Sequence, residues 1–192
     1  RRAEDIFLGL PTDVQDALPS VLFALARAEQ GEKGRITANS TPLAGFNAGS
    51  PERRLIDALL APTARLLVAN DGGDLRVAHE ALLSHWARAR DFVAKDRADL
   101  QLREKLLGSF AEWEKESGSK RDSLLLQAGL PLSQAEDLLA RRRRDLKSGL
   151  IDYIEASIAY NNRKIRRLKM AIVAFALLAV IAVGAGRHAQ DA

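Results

Sequence analysis

Two short β-runs, Arg65-Leu-Leu-Val-Ala69 and Asp74-Leu-Arg-Val-Ala78, flank the tetrapeptide Asn70-Asp-Gly-Gly73, and this spacing leaves the local chain few choices. Asn, Asp and Gly tolerate the positive φ angles of a tight turn, so the runs are expected to close as an antiparallel hairpin. Helical patterns lie on both sides. Ser50-Pro51 is a strong helix start, Leu55, Ile56, Leu59 and Leu60 give that helix one apolar face, and Pro62 ends it. Upstream, residues 11–30 read as one broken helix or two short ones. Thr12-Asp-Val-Gln15 fits a capping box, Pro19 can restart a helix, and Val21, Leu22, Leu25 and Ala26 form a stripe. Residues 31–49, rich in Gly, Asn, Ser and Thr, read as loop.

From His79 onward the pattern is helical. Leu82, Trp86, Ala89 and Val93 share one face, and Leu102, Leu106, Phe110 and Trp113 share a face on the next helix. Gly118-Ser119 breaks the pattern, Leu124–Leu126 resume it, and Ser133-Gln-Ala-Glu136 caps a further helix. Helices followed by a tight hairpin are the layout of a winged helix. The expected fold is therefore mainly α: a winged-helix domain with one short β-hairpin over residues 1–96, then a helical-bundle extension over 97–160. Composition agrees: the 192 residues are 47% hydrophobic and only 5% aromatic, with Leu, Ala and Arg dominant.

The last helical stretch runs from about Leu150 through a basic collar, 161–169, into the uncharged run Met170–Gly186. At about 1.5 Å per residue that run spans about 25 Å, the short limit for a bilayer crossing. Arg163, Lys164, Arg166, Arg167 and Lys169 crowd its N-terminal flank, whereas only Arg187 follows closely. A C-terminal transmembrane helix over 170–186 is expected, single-pass in the inner membrane with residues 1–169 cytoplasmic, and with the five basic residues at the membrane surface. The chain begins with Arg1-Arg2, carries no secretory signal, and reads as a fragment of something longer.

Several chemistries are excluded. There is no cysteine, hence no disulfide, thiolate zinc site or thiol nucleophile. The pair His79-Glu80 suggests a zinc-protease helix, but that motif needs histidines four apart on one face, and His85 lies six positions on. No metal site is expected. No Ser/His/Asp set or supported carboxylate pair is present, so no catalytic residue is assigned. A phosphate-cradling loop G-x-x-x-x-G-K-[ST] is also missing: Gly31 and Gly34 precede Arg35, and Gly118-Ser-Lys120 lacks the spacing. Trp86, Phe110 and Trp113 sit at core spacing. Arg141–Arg144 read as a solvated helix face, with an interaction surface as the alternative. His79, where a strand ends and free backbone donors begin, could point a ring N–H at a phosphate, cap the following helix, or pack in the hairpin.

The phrase Val77-Ala-His-Glu-Ala-Leu-Leu83 resembles the hydrophobic–His–acid–hydrophobic motif of the winged-helix domain in STAND ATPases, signal-transduction NTPases that include animal and plant death and resistance switches. Beyond it, the chain resembles the bacterial nSTAND class over most of its length. The matching phrases are Arg65-Leu-Leu-Val68, Ala78-His-Glu-Ala-Leu-Leu83 with Trp86, Asp96-Arg-Ala-Asp-Leu100, Glu112-Trp113, Leu124-Leu125, Ala135-Glu136, Leu139-Ala-Arg-Arg-Arg143 and Glu155-Ala-Ser157. The resemblance implies a P-loop ATPase domain N-terminal to these residues that binds ADP or ATP, with no cofactor held by this part. It implies that His79 contacts the ADP β-phosphate, that the region is a non-catalytic nucleotide sensor and signal relay, and that activation involves homo-oligomers. The chain departs from the better-known motif at Ala78, where methionine is usual, and at Glu80, where aspartate is usual.

Two other readings compete. A DNA-binding winged helix, as in membrane-bound transcription regulators, needs basic side chains on the recognition helix and wing. Here helix 51–61 offers only Arg53 and Arg54, and the wing Asn70–Asp74 carries two aspartates, so a nucleic-acid partner is not expected. The net charge of +4, from 29 basic and 25 acidic residues, is concentrated locally rather than spread over one face. A purely structural helical anchor is the third reading, in which substitutions of His79 would be silent.

Overall fold

A computed structural model of the protein describes residues 2–31 and 34–190, with side chains at all of them except 177 and 179–190. The chain divides into two compact units, residues 1–109 with 142–146, and residues 110–141 with 147–192.

The first unit opens with three short helices, α1 (Arg2–Leu8), α2 (Thr12–Gln15) and α3 (Leu18–Leu25). The expected capping box does not form at Thr12. Pro11 holds the cap position, and the Gln15 side chain donates instead to the Leu10 carbonyl at 2.8 Å. Pro19 lies in the first turn of α3, where a missing N–H costs nothing. The chain then extends into β1 (Ala26–Ala28), antiparallel to β2 (Ile36–Ala38), with Ala26 opposite Ala38. A second sheet has the order β3-β5-β4, built from β3 (Thr41–Pro42), β4 (Leu67–Ala69) and β5 (Asp74–Val77). Between β3 and β4 runs α4 (Pro51–Leu60), whose first turn is capped by the Ser50 hydroxyl accepting from the Arg53 N–H at 3.2 Å. Gly73 takes φ +78 in the turn of the β4–β5 hairpin. After β5 come α5 (Ala81–His85) and α6 (Ala87–Lys115), separated at Trp86, which is extended at φ −78, ψ 116. The core gathers Val21, Phe23 and Leu25 of α3, Leu55 and Ile56 of α4, Leu75 of β5, and Ala89 and Leu100 of α6.

Strand β1 was expected as helix, because Ala-Arg-Ala has high helical propensity. Tertiary contacts override it. The guanidinium of Arg103 on α6 donates to the carbonyls of Phe23 and, at 2.7 Å, of Ala26. A helix continuing past Leu25 would need such carbonyls as acceptors for its next turns; the buried arginine takes one near the end of α3 and one at the start of β1, and Asn39 takes those of Ala24 and Leu25 between them.

Arg142 corrects a second expectation. Rather than lying on a solvated face, it is bound by three carboxylates: Asp96, Asp99 at 3.7 Å and Asp145 at 3.3 Å. Its side chain is 16% exposed and the three carboxylates 9–13%. Its guanidinium also lies 5.1 Å from the centroid of the Phe23 ring, while that of Arg103 lies 4.6 Å from the same centroid. Phe23 thus contacts two cations, Arg103 paired with Glu104 and Arg142 with the three aspartates. Two phrases singled out in the sequence, Asp96–Leu100 and Leu139–Arg143, meet through this contact.

The second unit contains α7 (Gly118–Ser123), most of α8 (Leu130–Arg142) and α9 (Ser148–Gln190). Three polar residues spaced four apart on α9 bind the turn at 124–126. Tyr153 donates to the Leu124 carbonyl at 3.0 Å, Ser157 accepts from the Leu126 N–H at 3.1 Å, and Asn161 donates to the Leu126 carbonyl at 2.8 Å. Phe110, Trp113 and Tyr153 pack ring against ring with centroids 5.4–6.2 Å apart, and Arg121 lies 3.7 Å over Trp113. Gly149 makes room for this cluster, since a Cβ there would meet Phe110 at 2.7 Å.

The expected transmembrane helix over 170–186 is overturned, and with it the single-pass inner-membrane placement. Among the described residues no helix is long and apolar enough to cross a membrane. Basic residues occupy α9 up to Lys169. The side chains of 177 and 179–186, which complete the expected span, lie outside the described residues.

Removing Arg142 takes away the guanidinium that Asp96, Asp99 and Asp145 share. The Arg142→Ala variant is expected to lose about 2–3 kcal/mol of stability, somewhat below the ~3–5 kcal/mol for breaking a fully buried pair. Arg144→Ala, at an exposed position, should stay within about 0.5 kcal/mol. Urea titrations of both variants decide the matter: equal midpoints would contradict the assigned role of Arg142.

Candidate functional site

The end of β5 is braced on both sides. β5 is the central strand of its sheet, with Leu75 and Val77 buried beneath it and Arg76 turned outward. The Ala78 N–H still donates to the Leu66 carbonyl at 2.9 Å, extending the ladder by one residue. Then the chain turns. The His79 carbonyl accepts from the Leu82 N–H and the Glu80 carbonyl from the Leu83 N–H, both at 2.9 Å, which starts α5.

His79 therefore sits where the sequence places it, at the junction of strand and helix. It is exposed, so it does not pack in the hairpin. Among the described residues no group bonds its ring, and its carbonyl rather than its imidazole begins the helix. The ring is presented outward on a fixed backbone. The Glu80 carboxylate accepts from the Ala38 N–H at 3.2 Å, tying the end of β2 to the start of α5. His85 is engaged locally, its Nδ1 lying 2.8 Å from the Ser84 hydroxyl and 3.2 Å from the Ala81 carbonyl. Among the described residues no group of three His, Cys, Asp or Glu could hold a metal ion.

Beside the junction is a cavity of about 340 Å³ lined by Ala38, Asn39, Ser40, Arg76, Val77, Ala78 and Glu80. His79 is not part of its lining. Sequence reasoning missed this cavity because its walls come from residues 38–40, which read as loop, and from the outward side of β5.

The helix that follows is anchored at its corner. The Trp86 ring N–H donates to Glu4 at 2.9 Å, Arg88 pairs with the same carboxylate at 2.8 Å, and Phe7 meets Trp86 edge-on at 5.7 Å. The hydrogen bonds from Arg88 and then Trp86 hold the Glu4 carboxyl below its usual range, against a smaller opposing effect of burial. α1 is thereby fastened to the α5–α6 corner.

The two arginines of α4 face acids. Arg53 pairs with Asp57 at 3.0 Å and Arg54 with Asp13 at 2.8 Å. Arg163, Lys164, Arg166, Arg167 and Lys169 are all exposed on α9 in the second unit.

This fold, mainly helical with two small sheets and a histidine displayed at a strand–helix junction, goes with a family assignment. Residues 1–121 match the family model described as Novel STAND NTPase 1, and the chain belongs to that family. Comparison with curated proteins and with solved structures gave no match.

The lowered Glu4 pKa has a pH signature. Its stabilising contribution is present above the unfolded carboxyl value, near 4.5, and is lost as pH falls through the lower folded value. Glu4→Gln should be less stable than the wild type at pH 7, with the difference shrinking toward pH 3. Urea denaturation followed by tryptophan fluorescence at the two pH values reads this directly; a difference independent of pH would contradict it.

Proposed function

We propose that this region is the non-catalytic, regulatory part of a STAND-type NTPase, reading nucleotide state through His79 in a winged-helix-like first unit. The nucleotide, ADP or ATP, is held by a P-loop domain of the same protein and presented to the β5–α5 junction. The observation that carries this reading is the His79 ring, exposed and, among the described residues, unbonded on a backbone fixed by the central strand, in a chain of this family. The lack of a phosphate-cradling glycine motif within residues 1–192 supports a sensing rather than a hydrolytic role.

The chemistry is simple. An imidazole N–H donates to an oxygen of the ADP β-phosphate, and the bond closes the first unit onto the nucleotide domain. With ATP, the γ-phosphate changes the charge and the space at that oxygen, the contact weakens, and the open state gains population. Glu80, held on Ala38, and Trp86, held on Glu4, keep the junction rigid so that the bond is made or lost as a unit. A nucleic-acid role has little to support it, since Arg53 and Arg54 already face carboxylates.

A hydrogen bond to a charged group contributes about 1.5–3 kcal/mol. His79→Ala in the protein that carries both regions should therefore speed ADP dissociation by roughly tenfold or more. Stopped-flow release of a fluorescent ADP analogue measures it. An unchanged release rate would remove the sensor role.

A further inference from the structure

The cavity beside the junction is small and carries charges of both signs. Its place follows from the register. Strands β3 and β5 pair Thr41 with Leu75 and Pro42 with Asp74, so Ser40 stands opposite Arg76. Beyond that point the two segments part. The Asn39 N–H donates to the Leu25 carbonyl and its side-chain amide to the Ala24 carbonyl, both at 2.8 Å, which draws residue 39 toward α3. The Glu80 carboxylate then ties the two segments together again, accepting from the Ala38 N–H at 3.2 Å.

Arg76 and Glu80 line the space so enclosed with opposite charge. Among the described residues they do not pair with each other, and neither forms an ion pair elsewhere. A cation and an anion that share one cavity without meeting are both satisfied by a single molecule that carries both charges. The volume limits its size. At about 30 Å³ for each water-sized group, 340 Å³ takes about ten non-hydrogen atoms, enough for a free amino acid and far too little for a nucleotide.

We infer that this cavity binds a small zwitterion of the α-amino-acid class, with its carboxylate on the Arg76 guanidinium and its ammonium on the Glu80 carboxylate. An arginine fork takes a carboxylate through two parallel bonds. Oε1 of Glu80 is held by the Ala38 N–H, which fixes the carboxylate and leaves Oε2 for the ammonium. Ser40 and Asn39 add neutral hydrogen-bonding groups, while Ala38, Val77 and Ala78 offer a short aliphatic side chain an apolar wall. A ligand with negative charge alone would meet Arg76 but set like charge against Glu80. The site is separate from the His79 ring and does not depend on the nucleotide reading.

The test uses the 192-residue chain, isotope-labelled, titrated with L-valine and with two analogues that each lack one charge. N-acetylvaline has no ammonium, and valinamide has no carboxylate. Valine should shift the backbone amide resonances of Ser40 and Val77 saturably and bind at least ~tenfold more tightly than either analogue. Arg76→Gln should lower the affinity for valine to that for valinamide. Glu80→Gln, whose amide oxygen still accepts from Ala38, should lower it to that for N-acetylvaline. The inference is overturned if valine leaves these amides in place, if either analogue binds as tightly as valine, or if either substitution leaves valine binding unchanged. It is equally overturned if ADP or inorganic phosphate shifts these amides and valine does not.

Discussion

The ring of Phe23, with the guanidiniums of Arg103 and Arg142 lying 4.6 and 5.1 Å from its centroid, is the contact on which the first unit depends. A cation over an aromatic ring is worth about 1 kcal/mol at the surface and about 2 when desolvated. Each arginine here does more than that. Arg103 donates to the carbonyls of Phe23, near the end of α3, and of Ala26, the first residue of β1, and so braces the point where helix gives way to strand. Arg142 gathers Asp96, Asp99 and Asp145, which fixes residues 142–146 against α6. Neither cation could be buried alone, and neither set of acceptors could be left without its cation.

From this contact the functional junction follows. α3 packs on β5, and Arg103 braces its end. β5 is braced on one side by β4 and on the other by β3, so its last residues have little freedom where they hand over to α5. The Glu4–Trp86–Arg88 cluster fixes the far end of that short helix. His79 is thus an exposed side chain on a backbone held at both ends, as the proposed contact with one phosphate oxygen requires.

Much of this was legible in the residues. The turn tetrapeptide Asn70–Gly73 placed the hairpin, Ser50-Pro51 placed α4, and the strand–helix handover placed His79. These are local signals, written within a few positions of the structure they specify. What was not legible depended on partners far away in the chain. Ala26–Ala28 favours helix on its own and becomes strand because Arg103, 77 positions on from Ala26, takes its carbonyl. Arg142 looks like one of four solvated arginines until Asp96 and Asp99 are placed beside it. The cavity arises because Asn39 bonds α3 instead of β5, which no periodicity encodes. The transmembrane reading of 170–186 is overturned on another ground: among the described residues no helix is long and apolar enough to cross a membrane.

The central claim is that His79 distinguishes ADP from ATP by direct contact. The most direct measurement is the ring-nitrogen NMR signal of His79, assigned by its loss in a His79 variant, in the protein that carries the nucleotide-binding domain. The account predicts a His79 shift with ADP that is absent or much smaller with a non-hydrolysable ATP analogue, while the His85 signal stays in place. Identical His79 signals in the two nucleotide states would contradict it.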